Sequence, residues 1–239
     1  MPTALVTGGS SGIGLAICRE LLDAGHAVIS LDRKPHPLAG ERLRAIIVDL
    51  ADTEATAVAA RDALAGGPIT TLVHNAGLLR EARLDTVTTD DLAALSQVHV
   101  TAAVVLAQAL LPGMRAARFG RIVLIASRAV LGLAGRTAYA ASKAAMLGLA
   151  RSWALELGPE GITVNVVAPG PVETDMLFAV LPPGDPRIAA LAQSVPMRRL
   201  GQPEDVARAV LFFADPANGF ITGQTLFVCG GTSIGGLAL

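Results

Sequence analysis

Residues 4–14 read Ala4-Leu5-Val6-Thr7-Gly8-Gly9-Ser10-Ser11-Gly12-Ile13-Gly14: an apolar run, a turn rich in glycine and serine, then a helical pattern. In a strand–turn–helix of this kind the first glycine allows the tight turn. The second lets backbone approach a pyrophosphate closely, and the third lets helix and strand pack closely. The helix start adds free N–H groups and a partial positive charge. Gly8, Ser10, Ser11, Gly12, Ile13 and Gly14 are therefore candidate phosphate-binding residues.

The same rhythm runs along the chain. Apolar runs at Ala4–Thr7, Ala27–Leu31, Ala45–Val48, Thr71–His74, Arg121–Ala126, Ile162–Val167 and Leu226–Cys229 predict strands. Between them, Ile13–Ala24, Glu54–Ala65, Asp90–Leu111, Ala138–Leu157 and Glu204–Ala214 predict helices, with Gly25 at a C-cap and Pro203 at a helix start. Alternation of this kind predicts an α/β fold with a parallel sheet and right-handed crossovers. No repeat or low-complexity linker marks a boundary, so one domain is expected over residues 1–239. Two stretches break the rhythm. Arg33–Arg44 holds two prolines and leaves little room for helix. Residues 175–200, with Pro182-Pro183-Gly184-Asp185-Pro186, are too long for an ordinary connection and suggest a substrate lid.

Composition agrees. Hydrophobic residues make up 52% of the 239 and aromatics only 3%, as a buried sheet rich in Ala, Leu, Val and Ile requires. A net charge of −1 offers no footprint for nucleic acid and no polybasic membrane patch. Charge, Gly or Pro is expected to interrupt every apolar stretch of spanning length, and the start shows no signal-peptide pattern, so a cytoplasmic protein is expected. Cys18 and Cys229 form no disulfide framework and no metal-ligand spacing, so no metal is expected.

Asp32 ends the second strand, about twenty positions past the glycine loop, where a carboxylate suits the ribose hydroxyls of NAD. Facing a 2′-phosphate at ~4 Å it would cost about 4 kcal/mol per charge pair at an effective dielectric near 20. Arg33 and Lys34 offset part of that, so NAD is favoured over NADP.

Tyr139 is the only tyrosine, and Lys34 and Lys143 are the only lysines. Tyr139 and Lys143 stand four apart, on one helical face. A neighbouring ammonium favours a phenolate, which makes Tyr139 a candidate general acid/base with a pKa below its free value and Lys143 its tuner. A surface pair at helical spacing is the plain alternative. Ser127 shifts the balance, because it ends the Arg121–Ala126 strand, where ligands bind in open parallel sheets, and can donate to a substrate carbonyl oxygen.

Taken in order, Thr7-Gly8-xxx-Gly12-x-Gly14, Asp49, Asn75-Ala76-Gly77, Ser127, Tyr139-xxx-Lys143 and Pro169-Gly170-Pro171-Val172-Glu173-Thr174 resemble the short-chain dehydrogenase/reductase family over essentially the whole chain. The resemblance implies a seven-stranded, doubly wound Rossmann-like sheet with helices on both faces. It also implies a homotetramer formed through the helices near Asp90–Leu111 and Ala138–Leu157. By position, Asp49 and Leu50 would hold the adenine, and Asn75, Ala76 and Gly77 would line the adenine-ribose side. Lys143 would hold the nicotinamide ribose, Val172 and Thr174 would contact the carboxamide and a phosphate, and Pro169-Gly170 would pass under the nicotinamide. Two positions depart from the family. His74 replaces the first asparagine of Asn-Asn-Ala-Gly, a change expected to be structural. His99 aligns with a catalytic asparagine; it either fills a buried slot or orders a water and titrates near neutral pH.

The resemblance implies a nicotinamide-dependent oxidoreductase acting on a secondary alcohol or ketone. The apolar pieces Met176–Leu181 and Ile188–Val195, with Leu78, Leu79, Val130 and Leu131, suggest a mainly apolar or cyclic substrate. Val195–Gly201 is similar to 3-oxoacyl-thioester reductases, which generally use NADPH. An inactive NAD-sensing protein is the alternative of another class. Enoyl reductase relatives space Tyr and Lys more widely than here, and epimerase relatives are longer.

Overall fold

The structure is a computed structural model that describes residues 1–234; the last five residues of the domain expected over 1–239 lie outside them. Seven strands form one parallel sheet: β1 (Thr3–Thr7), β2 (Ala27–Asp32), β3 (Leu43–Ile47), β4 (Thr71–His74), β5 (Gly120–Ile125), β6 (Ile162–Pro169) and β7 (Thr225–Val228). Their order is β3-β2-β1-β4-β5-β6-β7. The chain thus winds one way from β1 and then the other, which leaves a crevice between β1 and β4 at their carboxyl ends.

Successive strand residues point to opposite faces, and each face buries its own apolar cluster. On one side Leu5, Leu31 and Leu72 pack with α2 (Thr53–Leu64), α4 (Ala102–Ala117) and α5 (Thr137–Leu157). On the other Val6, Val28 and Val123 pack with α1 (Gly12–Asp23) and α8 (Pro203–Ala214). Gly25 takes φ +89° just after α1, and Pro203 opens α8, as the sequence predicts. No helix forms between Asp32 and Leu43.

Two expectations need correction. The single helix predicted over Asp90–Leu111 is divided into α3 (Thr89–Ser96), a π-turn at Gln97–Thr101, and α4, which continues to Ala117. Apolar periodicity does not reveal a π-turn, because the apolar pattern continues through it. Second, the same stretch is long and apolar enough to cross a membrane, since Leu92–Leu111 carries no charge, Gly or Pro. Here it lies against the sheet, with Leu95, Leu106 and Leu110 fully buried. Residues 175–200, the stretch read as a substrate lid, hold two helices, α6 (Asp175–Phe178) and α7 (Pro186–Ser194), joined through Pro182-Pro183-Gly184.

His74 is bonded to the π-turn. Thr7 Oγ1 accepts N–H bonds from Asn75 (3.0 Å) and Ala76 (2.9 Å), so its own proton goes to His74 Nδ1 at 3.1 Å. Nε2 of the ring therefore carries the proton, and it donates to the Val98 carbonyl in the π-turn at 3.0 Å. A π-turn loosens the carbonyls that a regular helix keeps for itself. One side chain thus joins β1, β4 and the π-turn, which makes the substitution structural, as expected.

Burial and the nearby Lys143 push the His74 pKa down to about 4 from 6.5. The unfolded chain then binds the extra proton between these values, so stability is lost as pH falls from about 6.5 towards 4. The full cost is roughly 3 kcal/mol at 1.36 kcal/mol per pKa unit. Chemical denaturation across that range is expected to show a falling free energy of unfolding, with a shallower fall in His74→Asn. An identical slope in the variant would mean that His74 takes up its second proton as readily in the folded protein as in the unfolded chain.

Candidate active site

The carboxyl ends of the strands border a cleft of about 1040 Å³. Gly8, Ser11, Gly12 and Ile13 line it after β1; Asp32 and Arg33 after β2; Asp49 and Leu50 after β3. Asn75, Ala76 and Gly77 follow β4, and Ser127 follows β5. Pro169, Gly170, Val172 and Thr174 come from β6 and its loop, and Tyr139 and Lys143 rise from α5. The cleft thus gathers nearly all the residues singled out in the sequence.

Two candidates serve behind the wall. Ser10 gives its N–H to Asp32 Oδ2 (2.9 Å) and its hydroxyl to the Lys34 carbonyl (3.1 Å), which leaves it outside the lining. Gly14 packs beneath the loop, where a Cβ would stand 1.9 Å from the Gly8 carbonyl oxygen. Gly8 itself has φ +66°, and a Cβ there would meet Ala76 Cα at 2.9 Å. No side chain caps α1 at Ser11, so its first-turn N–H groups face the cleft without a competing acceptor of that kind. The glycine cradle, the open helix start and the Asp32 carboxylate fit a dinucleotide.

At the other end Ser127 Oγ accepts the Ala129 N–H at 3.1 Å, which leaves its own proton to give away. Lys143 is buried, and its Nζ donates to the Ile125 carbonyl at 2.7 Å. A Cβ on Gly77 would stand 3.0 Å from His99 Nε2 and 3.3 Å from Lys143 Nζ, so glycine keeps that space open.

A family model described as enoyl-(acyl carrier protein) reductase matches residues 8–233. A 3-oxoacyl-(acyl-carrier-protein) reductase from Vibrio harveyi is 39% identical over 238 residues, 95% of this chain and 96% of the relative. A crystal structure of a short-chain dehydrogenase/reductase family oxidoreductase from Burkholderia thailandensis matches with a TM-score of 0.90 at 36% identity, over 98% of this chain and 93% of that one. The chain belongs to the short-chain dehydrogenase/reductase family. It is an NAD(P)-dependent oxidoreductase acting on CH–OH groups. A Beutenbergia cavernae protein provisionally described as an NAD(P)-dependent gluconate 5-dehydrogenase, with NADP bound at low occupancy, has the same TM-score and identity over 98% and 97% of the two chains.

Within this dehydrogenase/reductase site the protonation chemistry corrects the sequence reading. Burial raises the Tyr139 pKa above its usual 10, although the Ser127 hydroxyl and the Arg136 charge pull the other way. Lys143 does not lower it here. Its Nζ sits 6.0 Å from the Tyr139 ring centre, and burial pushes its own pKa down to about 7. Helical spacing brings the two together, but desolvation outweighs their attraction.

Of the two readings of His99, the geometry matches the buried slot. It is fully buried, and burial, Lys143 and His74 hold its pKa far below the neutral range. The Leu78 N–H donates to Nε2 at 3.1 Å, which puts the ring proton on Nδ1. Nδ1 donates to Ser142 Oγ at 2.9 Å, and that hydroxyl donates to the Tyr139 carbonyl at 3.0 Å. Both ring nitrogens are engaged by the protein, so neither is left for a water. The apolar wall also differs in part from expectation. Leu78 and Leu79 line the cleft, but Val130 packs against the core and Leu131 is 56% exposed. Ala129 and Leu133 take their place, because the 3₁₀ turn Arg128–Leu131 rotates the chain after Ser127. The sequence reading quoted Thr7 within the glycine-loop motif without assigning its hydroxyl the bonds to Asn75, Ala76 and His74, and it missed the cleft arginines Arg80, Arg128 and Arg136.

Because no second phenol interferes, Tyr139 can be titrated by its phenolate absorbance. In the cofactor-free protein the transition is expected above pH 10, and Ser127→Ala is expected to move it higher. A midpoint below 10 would restore the ammonium-tuning account.

Proposed function

We propose that this protein transfers a hydride between a nicotinamide cofactor, with NAD favoured, and a mainly apolar or cyclic secondary alcohol or its ketone. Tyr139 is the general acid/base. One observation supports this most: Ser127, Tyr139 and Lys143 meet in the same cleft as the glycine loop and Asp32. When bound, the cofactor supplies or takes the hydride. Ser127 donates to the carbonyl oxygen, and Tyr139 gives that oxygen its proton in reduction or removes it in oxidation. Lys143 holds the nicotinamide ribose, and His99 positions Tyr139 through Ser142. Asp49 and Leu50 border the adenine, and Val172 and Thr174 border the nicotinamide end.

NAD is favoured because both Asp32 oxygens are fixed, by the N–H groups of Ser10 and Lys34, at the cleft edge. A charge held in place there opposes a 2′-phosphate more than a mobile one would. Arg33, which also lines the cleft, works for NADP. The likeness to the Vibrio harveyi protein favours a second reading, an NADPH-dependent 3-oxoacyl-thioester reductase. The spacing of Tyr139 and Lys143 speaks against enoyl reduction. The chain is read as one cytoplasmic domain with a lid at about 175–200, assembled as a homotetramer through α4 and α5; Leu155 on α5, 82% exposed, is on offer for such a contact.

The test is turnover of cyclic, aryl and 3-hydroxyacyl-thioester alcohols with NAD or NADP, and of the ketones in reverse. Tyr139→Phe is expected to lower kcat about 10²- to 10⁴-fold. Asp32→Ala is expected to shift the cofactor ratio at least about tenfold towards NADP, from removal of the charge conflict alone. A wild-type preference for NADP would replace the first reading with the second. Cofactor binding with no turnover in either direction would favour a sensor.

A further inference from the structure

We propose that Arg128 anchors a carboxylate on the substrate, which makes the substrate an oxo acid or hydroxy acid. This rests on the oxidoreductase reading above. Arg128 directly follows Ser127 and opens the 3₁₀ turn that borders the cleft. Its Nε donates to the Thr232 carbonyl at 3.1 Å, in the turn that follows β7 and lines the same cleft. That bond fixes the guanidinium and leaves its two terminal amino groups, the pair that grips a carboxylate in bidentate fashion.

The cleft's other arginines are accounted for. Arg136 pairs with Glu81 and Arg80 pairs with Asp91. Arg33 stands beside Asp32 on the cofactor side. Arg128 has no carboxylate within ion-pair distance among the described residues. It is half-buried, and the cleft that it lines is also lined by Ala129 from the same turn and by Leu177, Val180 and Leu191 from residues 175–200. A cation held in such surroundings is incomplete until an anion joins it. The cofactor phosphates have their own site at the start of α1, beside β1 and two strands away in the sheet order from β5, which leads to Arg128. An anion next to Ser127 therefore belongs to the substrate.

The arrangement defines a substrate with three parts. Its reacting carbon lies at Ser127 and Tyr139, its carboxylate lies at Arg128, and its apolar remainder lies under α6 and α7. The carboxylate makes and breaks no bond. In reduction the carbonyl carbon gains the hydride and its oxygen gains the Tyr139 proton, so an oxo acid becomes the hydroxy acid.

The probes are 3-oxohexanoate and its methyl ester, which share the reacting carbonyl and the chain and differ in the charge and one methyl group, assayed with reduced cofactor in wild type, Arg128→Gln and Arg128→Lys. The wild type is expected to use the acid with kcat/KM at least about tenfold above the ester. Arg128→Gln is expected to raise KM for the acid about 10- to 100-fold while the ester changes little, and Arg128→Lys to recover part of the loss. Equal use of acid and ester by the wild type would overturn the proposal. An equal loss for both probes in Arg128→Gln would also overturn it, because Arg128 would then be only a brace for the Thr232 turn. Calorimetry with reduced cofactor present separates this from failure of the oxidoreductase reading. If no hydride moves but the acid binds, and Arg128→Gln abolishes that binding, the anchor stands and the oxidoreductase reading falls. If the acid does not bind the wild type, the anchor falls.

Discussion

Everything in the cleft depends on how closely the chain passes itself between β1 and β4. Thr7, Gly8, Gly14, His74 and Asn75 share that seam. The Asn75 amide donates to the carbonyls of Thr7 (3.1 Å) and Gly8 (3.0 Å), and Gly14 lies so near Gly8 that no side chain could intervene. Buried backbone groups must find partners, and here a threonine, an asparagine and a histidine supply them where two strands diverge. Once the seam is closed, the turn after β1 and the turn after β4 have fixed positions. The cofactor loop and the Asn75–Gly77 wall follow from that.

A second constraint is dryness. Tyr139, Lys143, His74 and His99 stand together, and burial favours the neutral form of each. An isolated charge in such a place is costly, so the cluster relies on hydrogen bonds more than on ion pairs. His74 and His99 even hold opposite tautomers, each set by the donor that reaches it first: the Thr7 hydroxyl for one and the Leu78 N–H for the other. A charge brought into so dry a cluster shifts the protonation of its members strongly.

The sequence made the frame legible for a physical reason. The inner strands are buried on both faces and read as short apolar runs, the partly exposed edge strands β3 and β7 are still apolar runs, and helices between them keep their period, so all seven strands and the glycine loop could be read within a few residues. The Tyr139/Lys143 face and the Ser127 strand end were legible because spacing and position determine them. Other features depend on contacts that no local pattern encodes. The π-turn bonds through the Val98 carbonyl to His74, which lies 24 positions away. The protonation of Tyr139 depends on burial, which spacing does not report. The wall after Ser127 turned on a 3₁₀ turn too short to have a period, so Val130 and Leu131 were misplaced while Arg128 was passed over.

The placement of β1 also bears on how the chain is made. β1 lies in the middle of the sheet, but its inner partner is β4, so Thr7 meets His74 only after 67 intervening steps of chain. During synthesis β1 and β2 can pair early, yet the inner edge of β1 stays bare until β4 has emerged. Contacts across so long a separation form slowly, and an unpaired apolar edge invites other chains. The seam that borders the crevice in the finished protein is thus, in the nascent one, an edge left open until β4 arrives.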